Sequence, residues 1–197
     1  DMMAYGFDLS EKLGEPVVLR VVTRLAHSRA AVEVTEPMAE NPFSPATDAW
    51  VLLPGIARKK YAVLLEKQET MMQASENSIY NKVETSSSKT GILACGIAYN
   101  YVKEAIGDDA NLVKVSQYPL PEDKIKALAA GCDELLVVED GQPVVEELVK
   151  GLLGADYPVK GRLTGDLPRT GELTPDNVAK ALGKKTGAVF APAQNMA

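Results

Sequence analysis

The chain has 197 residues, of which 46% are hydrophobic, so one large domain or one and a half can bury a sizeable core. Its net charge is -6, with 21 basic against 27 acidic side chains, which argues against a broad face for nucleic acid or an anionic membrane. No apolar stretch reaches the roughly 20 residues that a membrane-spanning helix needs.

Metal-binding residue types are scarce. The chain has two cysteines, Cys95 and Cys132, and one histidine, His27. Two isolated cysteines cannot hold an iron–sulfur cluster or a structural zinc, and one histidine excludes a histidine-rich metal site. The first residues carry acids and no long apolar core, so they do not resemble a secretion signal. We therefore expect buried, reduced thiols in a cytoplasmic protein.

The first part of the chain predicts a partial βα segment. A helix is expected to end at Gly14, followed by a buried strand from Pro16 to Val22, where β-branched residues dominate. The polar turn TRLAHSR follows, and weak alternation from Ala30 to Val34 is compatible with an edge strand. These elements cannot bury their apolar faces alone, so they are expected to belong to a larger sheet. The absence of an initial Met and the opening in mid-helix suggest an excised piece of a longer protein.

The middle of the chain predicts connecting segments. Three prolines between Glu36 and Asp48 indicate an irregular linker. Apolar residues spaced by three and four predict a surface helix from about Ile56 to Ala74. The stretch from Asn77 to Thr90, which contains TSSSKT, is typical of a flexible polar joint.

The run from Gly91 to Gly183 alternates short apolar strands with capped helices, which predicts a mainly parallel open sheet flanked by helices. Thr174 and Pro175 are expected to begin the last helix as its N-cap and first residue. The predicted elements, in chain order, are strand Ile92–Cys95, helix Ile97–Ile106, strand Leu112–Gln117, a helix from Pro121 to Gly131, strand Glu134–Glu139, a helix from Val144, strand Pro158–Gly161 and a last helix ending at Gly183.

One polar cluster follows the predicted strand Pro16–Val22 and contains Arg24, His27, Ser28 and Arg29. Ligands in open α/β sheets gather at the carboxyl ends of strands. Two arginines there could hold a substrate carboxylate, and a histidine could exchange a proton. The alternative is a salt-bridged domain interface, and the residues alone leave both open.

Three further features have a functional and a structural interpretation. The turn at Gly96, with Gly91 before it, could let the backbone approach a phosphate or carboxylate, or it could be a tight turn beneath a packed helix. Arg169, in the turn LPRTGEL, could reach an anion or a partner subunit, or cap a strand edge. Four carboxylates, those of Glu139 and Asp140 at the end of a strand and those of Glu146 and Glu147 on a helix, are expected to face solvent and complement a helix N-terminus.

Several segments together resemble the alpha subunit of indolepyruvate:ferredoxin oxidoreductase, a member of the 2-oxoacid:ferredoxin oxidoreductase family. The resemblance covers nearly the whole chain, and LPRTGELTPD and GIAYNYVKEA are its most specific pieces. The matching segments, in order, are LRVVTRLAHSRAAVEV, LLPGIARKKYAVLLEK, GILACGIAYNYVKEA, PLPEDKIKALA, ELLVVED and LPRTGELTPDNVAKALG.

The resemblance implies four regions. Residues 1–36 would end a thiamine-pyrimidine-side domain, and 37–90 would be a linker with a surface helix. Residues 91–187 would form a domain like the C-terminal domain of transketolase, and 188–197 would lead to a thiamine-pyrophosphate domain. The family's cysteine-rich elements and its thiamine-binding glutamate have no counterpart in this sequence.

The resemblance also implies a reaction for the parent protein. Such an enzyme decarboxylates arylpyruvates, passes electrons through 4Fe–4S clusters to ferredoxin, and forms an aryl-acetyl-CoA, using thiamine diphosphate and Mg. Its partners would be a beta subunit and ferredoxin, and Arg24 could meet the 2-oxoacid carboxylate. The chain itself is expected to bind no cofactor or metal and to act as a non-catalytic scaffold. The alternative is a stand-alone α/β module that binds CoA or a nucleotide at the Gly96 turn.

Overall fold

A computed structural model of the chain describes residues 2–34, 36–37, 51 and 53–185, in two units, Asp1–Thr70 and Met71–Ala197. Most of the predicted proline-rich linker, residues 38–48, and all of 188–197 lie outside the described residues. The first unit contains α1 (Met2–Leu13), α2 (Thr23–Ala26) and most of α3 (Pro54–Glu76), which continues into the second unit.

In the first unit the predicted helices are confirmed and the predicted strands are wrong. Gly14, with φ at 63°, ends α1, and α3 contains the expected surface helix. Neither Pro16–Val22 nor Ala30–Val34 is a strand, and TRLAHSR opens with the short helix α2. The physical reason is that a strand needs a neighbour, and no strand occurs among the described residues of this unit.

The second unit contains one five-stranded sheet in the order β1-β3-β2-β4-β5. Its central strands β2, β3 and β4 are parallel, β5 is parallel to β4, and β1 is antiparallel to β3. The predicted mainly parallel α/β sheet is therefore confirmed. The strands are β1 (Val83–Glu84), β2 (Thr90–Cys95), β3 (Asn111–Val115), β4 (Glu134–Val138) and β5 (Val159–Lys160).

Helices cover both faces of this sheet. One core cluster joins alternate strand residues such as Leu93 and Leu135 to α5 and α6, and the other joins Ile92 and Leu136 to α4 and α7. Successive strand side chains point to opposite faces, so β2 and β4 need apolar residues at consecutive positions, as their sequences have. The helices are α4 (Ala98–Ile106), α5 (Glu122–Gly131), α6 (Val144–Leu153) and α7 (Pro175–Ala181).

The start of α7 confirms the predicted capping. The side chain of Thr174 accepts a hydrogen bond from the amide of Asn177, and the Asn177 side chain accepts one from the amide of Thr174. Pro175 occupies the first turn, where its missing amide proton costs nothing. This capping fixes the direction in which the chain leaves the preceding loop.

The segment predicted as a flexible joint is instead pinned to the sheet. Asn111, on β3, accepts from the amide of Ser86 at 2.7 Å and donates to the Ser88 carbonyl at 2.6 Å. Within the same segment β1 pairs with β3, and Glu84 accepts from Tyr99 and Lys103 on α4. The polar composition of the segment predicted that it would be flexible. Instead, hydrogen bonds from polar side chains hold it where the short edge strand β1 provides few backbone hydrogen bonds.

Asn81 has a similar role at the carboxyl end of β3. Only 2% of the residue is exposed, and its Oδ1 accepts from the amides of Ser116 and Gln117 at 2.8 and 2.9 Å. Its Nδ2 donates to the carbonyls of Ser75 and Gln117 and to the Ser75 hydroxyl. One side chain thus joins the end of α3 to the end of β3.

We expect Asn81→Ala to lower the free energy of unfolding by about 2 kcal/mol, because it leaves two buried amides without an acceptor. Urea unfolding followed by circular dichroism measures the loss. The matched control is Asn77→Ala, since the exposed Asn77 makes one bond to the Gln73 carbonyl and should cost less than about 0.5 kcal/mol. Equal losses for the two variants would contradict the role given to Asn81.

Candidate functional site

The sheet of the second unit reverses its strand order between β2 and β4. The helix α4 that follows β2 covers one face, and the helix α5 that precedes β4 covers the other. In open α/β sheets, ligands lie outside the carboxyl ends of the strands at such a point. The candidate region is therefore formed by the turn after β2 and the loops after β4 and β5.

The two glycines around β2 have different roles. Gly91 lies within the strand, and a Cβ there would meet Leu135 Cδ2 at 2.5 Å and Leu128 Cγ at 3.0 Å, so close packing under α5 requires glycine. Gly96 forms the turn, with φ at 56°, and nothing lies within 4 Å of a Cβ built on it. Its amide donates to the Val115 carbonyl at 2.8 Å. Of these two glycines, Gly96 is therefore the one that offers open backbone at the carboxyl edge.

Glu139 follows β4 directly and is 5% exposed. Its carboxylate accepts from the amides of Val145 and Glu146 at 3.0 and 2.9 Å, which lie in the first turn of α6. The carboxylate therefore caps that helix and complements the positive end of its dipole. Burial raises the pKa of Glu139, and the charge of Glu146 raises it further, while the amide hydrogen bonds act in the opposite direction.

Glu146, on α6, is fully buried. Its Oε1 accepts from Lys150 Nζ at 2.8 Å, and its Oε2 accepts from the Leu163 amide at 3.0 Å. Gly161 lies directly against this carboxylate, since a Cβ there would be 2.4 Å from Oε2. The carboxylate therefore holds the start of the loop that follows β5 against α6.

Arg162 completes what we call the carboxyl-edge cluster, formed by Glu139, Asp140, Glu146 and Arg162. Its guanidinium is buried, with the residue 3% exposed. Nε donates to the Glu139 carbonyl at 3.0 Å, one terminal nitrogen donates to the Pro168 carbonyl at 2.7 Å, and the other reaches Asp140 Oδ1 at 3.4 Å. Arg162 thus ties the start and the middle of the loop after β5 to the end of β4.

The carboxyl-edge cluster corrects one expectation and confirms another. Glu139 and Glu146 do not face solvent, because backbone amides and the Lys150 ammonium satisfy both carboxylates inside the protein. Asp140 and Glu147 are exposed, as expected. Glu139 does complement a helix N-terminus, as expected. Sequence reasoning missed Arg162, for which the available signal was its position immediately after the predicted strand Pro158–Gly161.

The candidate residues named from the sequence are divided between the two units. In the first unit, Arg24 lies on α2, His27 follows it, Ser28 Oγ donates to the Leu25 carbonyl at 2.8 Å, and Arg29 is exposed. In the second unit, Arg169 is exposed and donates to Gln142 Oε1 at 2.9 Å.

Both cysteines are free thiols, Cys132 buried and Cys95 half-buried. Burial raises the pKa of each thiol, and the charge of Glu139 adds to the effect at Cys95. Both groups therefore stay protonated at neutral pH and are poor nucleophiles. This agrees with the expectation of inert, packed cysteines.

A cavity of about 270 Å³ lies at the opposite, amino edge of the sheet, lined by residues such as Ile92, Leu136 and Lys184. Two of the other charged residues that line it are paired, since Glu134 accepts from Thr90 at 3.2 Å and forms an ion pair with Lys160 at 2.8 Å, and Asp109 is the remaining one. The cavity therefore combines an apolar floor with charged residues of both signs.

Within the described part of the chain, every buried side-chain nitrogen or oxygen has a hydrogen-bond partner, and no three His, Cys, Asp or Glu side chains are grouped as metal ligands would be. No helix among the described residues is long and apolar enough to cross a membrane. The carboxyl-edge cluster positions loops, and the buried groups of Glu139, Glu146 and Arg162 are occupied in doing so.

Comparison with known proteins gives consistent matches to one kind of subunit, the indolepyruvate oxidoreductase subunit IorA. The chain is 39% identical over 158 residues to that of Archaeoglobus fulgidus and 35% identical over 164 residues to that of Pyrococcus abyssi, covering 74% and 76% of this chain. The match to the Methanothermobacter thermautotrophicus subunit, 34% identical over 200 residues, covers 95% of this chain.

The chain spans only part of these relatives, 25% of the first two and 32% of the third. No protein-family model matches the chain, and no solved structure gives a significant match. The likeness to the C-terminal domain of transketolase therefore stays a prediction.

Proposed function

Since the chain is homologous to a quarter to a third of the indolepyruvate oxidoreductase subunit IorA, we propose that it is a non-catalytic scaffold and interface domain of such an oxidoreductase. The family resemblance inferred from the sequence is confirmed by these relatives. The scaffold role is our proposal, and the second unit is the part of the chain that would perform it.

The same proposal extends to the parent enzyme. By family resemblance, it would oxidatively decarboxylate an arylpyruvate, join the acyl product to CoA and deliver the released electrons to ferredoxin through 4Fe–4S clusters. Thiamine diphosphate with Mg would stabilise the carbanion formed on loss of CO₂. The partners would be a second subunit and ferredoxin, and the compartment would be the cytoplasm, where two unpaired thiols remain reduced.

The residues of this chain do not fit these cofactors. An iron–sulfur cluster of this type takes about four cysteine thiolates, whereas the chain has 2 cysteines, one on β2 and one after α5. In the carboxyl-edge cluster, amides and a cation take up the carboxylates of Glu139 and Glu146. We therefore assign the chemistry to parts of the parent outside this chain.

One observation carries the scaffold proposal. An α/β enzyme would display its reactive groups at the carboxyl edge of the sheet. In this unit, the buried Glu139, Glu146 and Arg162 at that edge instead form hydrogen bonds that fix the loops after β4 and β5. A domain with this construction presents a rigid surface. The exposed Arg169, held by Gln142 on that surface, is our candidate for contact with a partner subunit. Arg24, His27, Ser28 and Arg29 remain candidates for contact with the substrate or an interface.

The rival function is a stand-alone module that binds CoA or a nucleotide. It is favoured by the open Gly96 turn at the strand-order reversal, where α4 begins without a side-chain cap. Thermal unfolding of the purified chain with and without CoA or ATP separates the two proposals. We expect no shift, whereas a bound ligand at about 100 times its dissociation constant would add about 2.7 kcal/mol. A clear shift that Gly96→Asp abolished would favour the rival.

A further inference from the structure

The turn between β4 and α6 carries the pair Asp140–Gly141, which is the only Asp–Gly pair in the sequence. Both residues are exposed and lie outside the described helices and strands. Gly141 has φ at 87°, in the left-handed region that glycine adopts without steric cost. The pair therefore lies on open, irregular backbone immediately after the buried Glu139.

An aspartate followed by glycine can rearrange its own main chain, because glycine has no side chain that shields its amide nitrogen. This nitrogen loses its proton and attacks the carboxyl carbon of the aspartate; a C–N bond forms, a C–O bond breaks, and the oxygen leaves as water. Water then opens the succinimide ring at either carbonyl. Opening at the main-chain carbonyl gives isoaspartate, in which the backbone passes through Cβ and Cγ and is one methylene longer. The reaction needs no oxidant, reductant or cofactor.

The structure leaves both reacting groups of this pair available. The amide of Gly141 donates no hydrogen bond to any described residue. The Asp140 carboxylate has one contact, from Oδ1 to the Arg162 guanidinium at 3.4 Å, which is longer than an ordinary hydrogen bond. Its Oδ2 has no partner among the described residues. Neither group is therefore held in an interaction that prevents the attack.

The pair Asp166–Leu167 shows the opposite situation in the same unit. The Leu167 amide donates to the Gly161 carbonyl at 3.0 Å, and Leu167 is fully buried. The Asp166 carboxylate accepts from the Thr164 hydroxyl at 2.6 Å. Attack by this amide would require the loop after β5 to open. The two aspartates therefore differ in whether the amide that follows them is free to react.

We propose that Asp140–Gly141 is a site of spontaneous isoaspartate formation in the folded protein, and that the conversion loosens the carboxyl-edge cluster. The additional methylene enters the main chain between Glu139, whose carboxylate caps α6, and Gln142, which holds Arg169. A longer turn displaces both residues from their present contacts. The reaction is independent of the proposed function, since it involves only water and the turn itself.

Incubation of the folded 197-residue chain in mildly acidic buffer, followed by peptide mapping with electron-transfer fragmentation, tests the modification site. A peptide of residues 136–146, treated in the same way, gives the rate for unstructured backbone. We expect isoaspartate at position 140 to form in the folded chain within about tenfold of the peptide rate, since an exposed turn opens at little cost. Absence of isoaspartate at position 140 after the peptide has converted would overturn the proposal.

Two controls separate this local reaction from global unfolding. Asp166–Leu167 in the same sample should stay unconverted, because its amide is buried and hydrogen-bonded. Asp140→Glu should give no such product, since glutamate must close a larger ring more slowly, while it keeps a carboxylate beside Arg162. Equal conversion at both aspartates would show that the reaction proceeds through the unfolded chain, and the proposal would fail.

The structural consequence is measured on the isomerised chain after its chromatographic separation from the unmodified chain. We expect the isomerised chain to unfold at a lower urea concentration, because the Glu139 cap of α6 is displaced. Equal unfolding midpoints for the two forms would overturn the second part of the proposal, that the conversion loosens the carboxyl-edge cluster.

Discussion

Gly161→Ala should lower the free energy of unfolding of the second unit by about 3 kcal/mol, within the range for overpacking and disruption of a buried charge pair. The new methyl group would lie 2.4 Å from Glu146 Oε2, 2.7 Å from Glu146 Cδ and 3.2 Å from the Val137 carbonyl oxygen. The carboxylate cannot move aside without breaking its bonds to Lys150 and to the Leu163 amide. The midpoint of urea unfolding measures the effect.

Gly151→Ala is the matched control for this substitution. Gly151 lies on α6 with nothing within 4 Å of the built Cβ, so alanine there should be neutral or stabilise by up to about 1 kcal/mol through its higher helix propensity. If Gly161→Ala were as stable as Gly151→Ala, the close contact between Gly161 and the buried carboxylate would be wrong.

Arg162→Met is expected to cost about 3 kcal/mol, although methionine preserves most of the side-chain volume. The substitution removes the donors to the Glu139 and Pro168 carbonyls and the charge partner of Asp140. A buried carbonyl without a donor destabilises the folded state by its full desolvation free energy. Thermal and urea unfolding should both show the loss.

Arg169→Met provides the control, since it makes the same chemical change seven positions away on an exposed side chain with one hydrogen bond. It should change the free energy of unfolding by less than about 0.5 kcal/mol. Comparing Arg162→Met with Arg169→Met also separates a structural role from an interface role, because a residue that contacts only a partner should not be needed for folding. Equal losses in both variants would place Arg169 in the structural cluster as well.

The parallel sheet could be predicted from the sequence because its signals are local. β2 and β4 are short apolar runs bounded by glycine and polar residues, and Thr174 with Pro175 marks a helix start unambiguously. The first unit shows the limit of the same signals. Pro16–Val22 has the composition of a buried strand, but composition cannot supply the neighbouring strand that its backbone requires.

The carboxyl-edge cluster could not be predicted, because it depends on contacts between distant segments. Arg162 and Glu139 are 23 residues apart, and Asn81 and Ser116 are 35 apart. In the sequence, each of these looks like an ordinary surface residue. Only the strand order brings the loops after β4 and β5 together, and with them the acids and the arginine that become buried.

Cofactor analysis of the purified 197-residue chain, after incubation with iron, sulfide, thiamine diphosphate and Mg, tests the scaffold proposal most directly. Iron, acid-labile sulfide and bound thiamine diphosphate are measured per polypeptide, beside a subunit of the relatives' full length treated in the same way. The account predicts that the chain retains none of the three, while the full-length subunit retains them. Stoichiometric iron with acid-labile sulfide, or bound thiamine diphosphate, in the folded chain alone would contradict it.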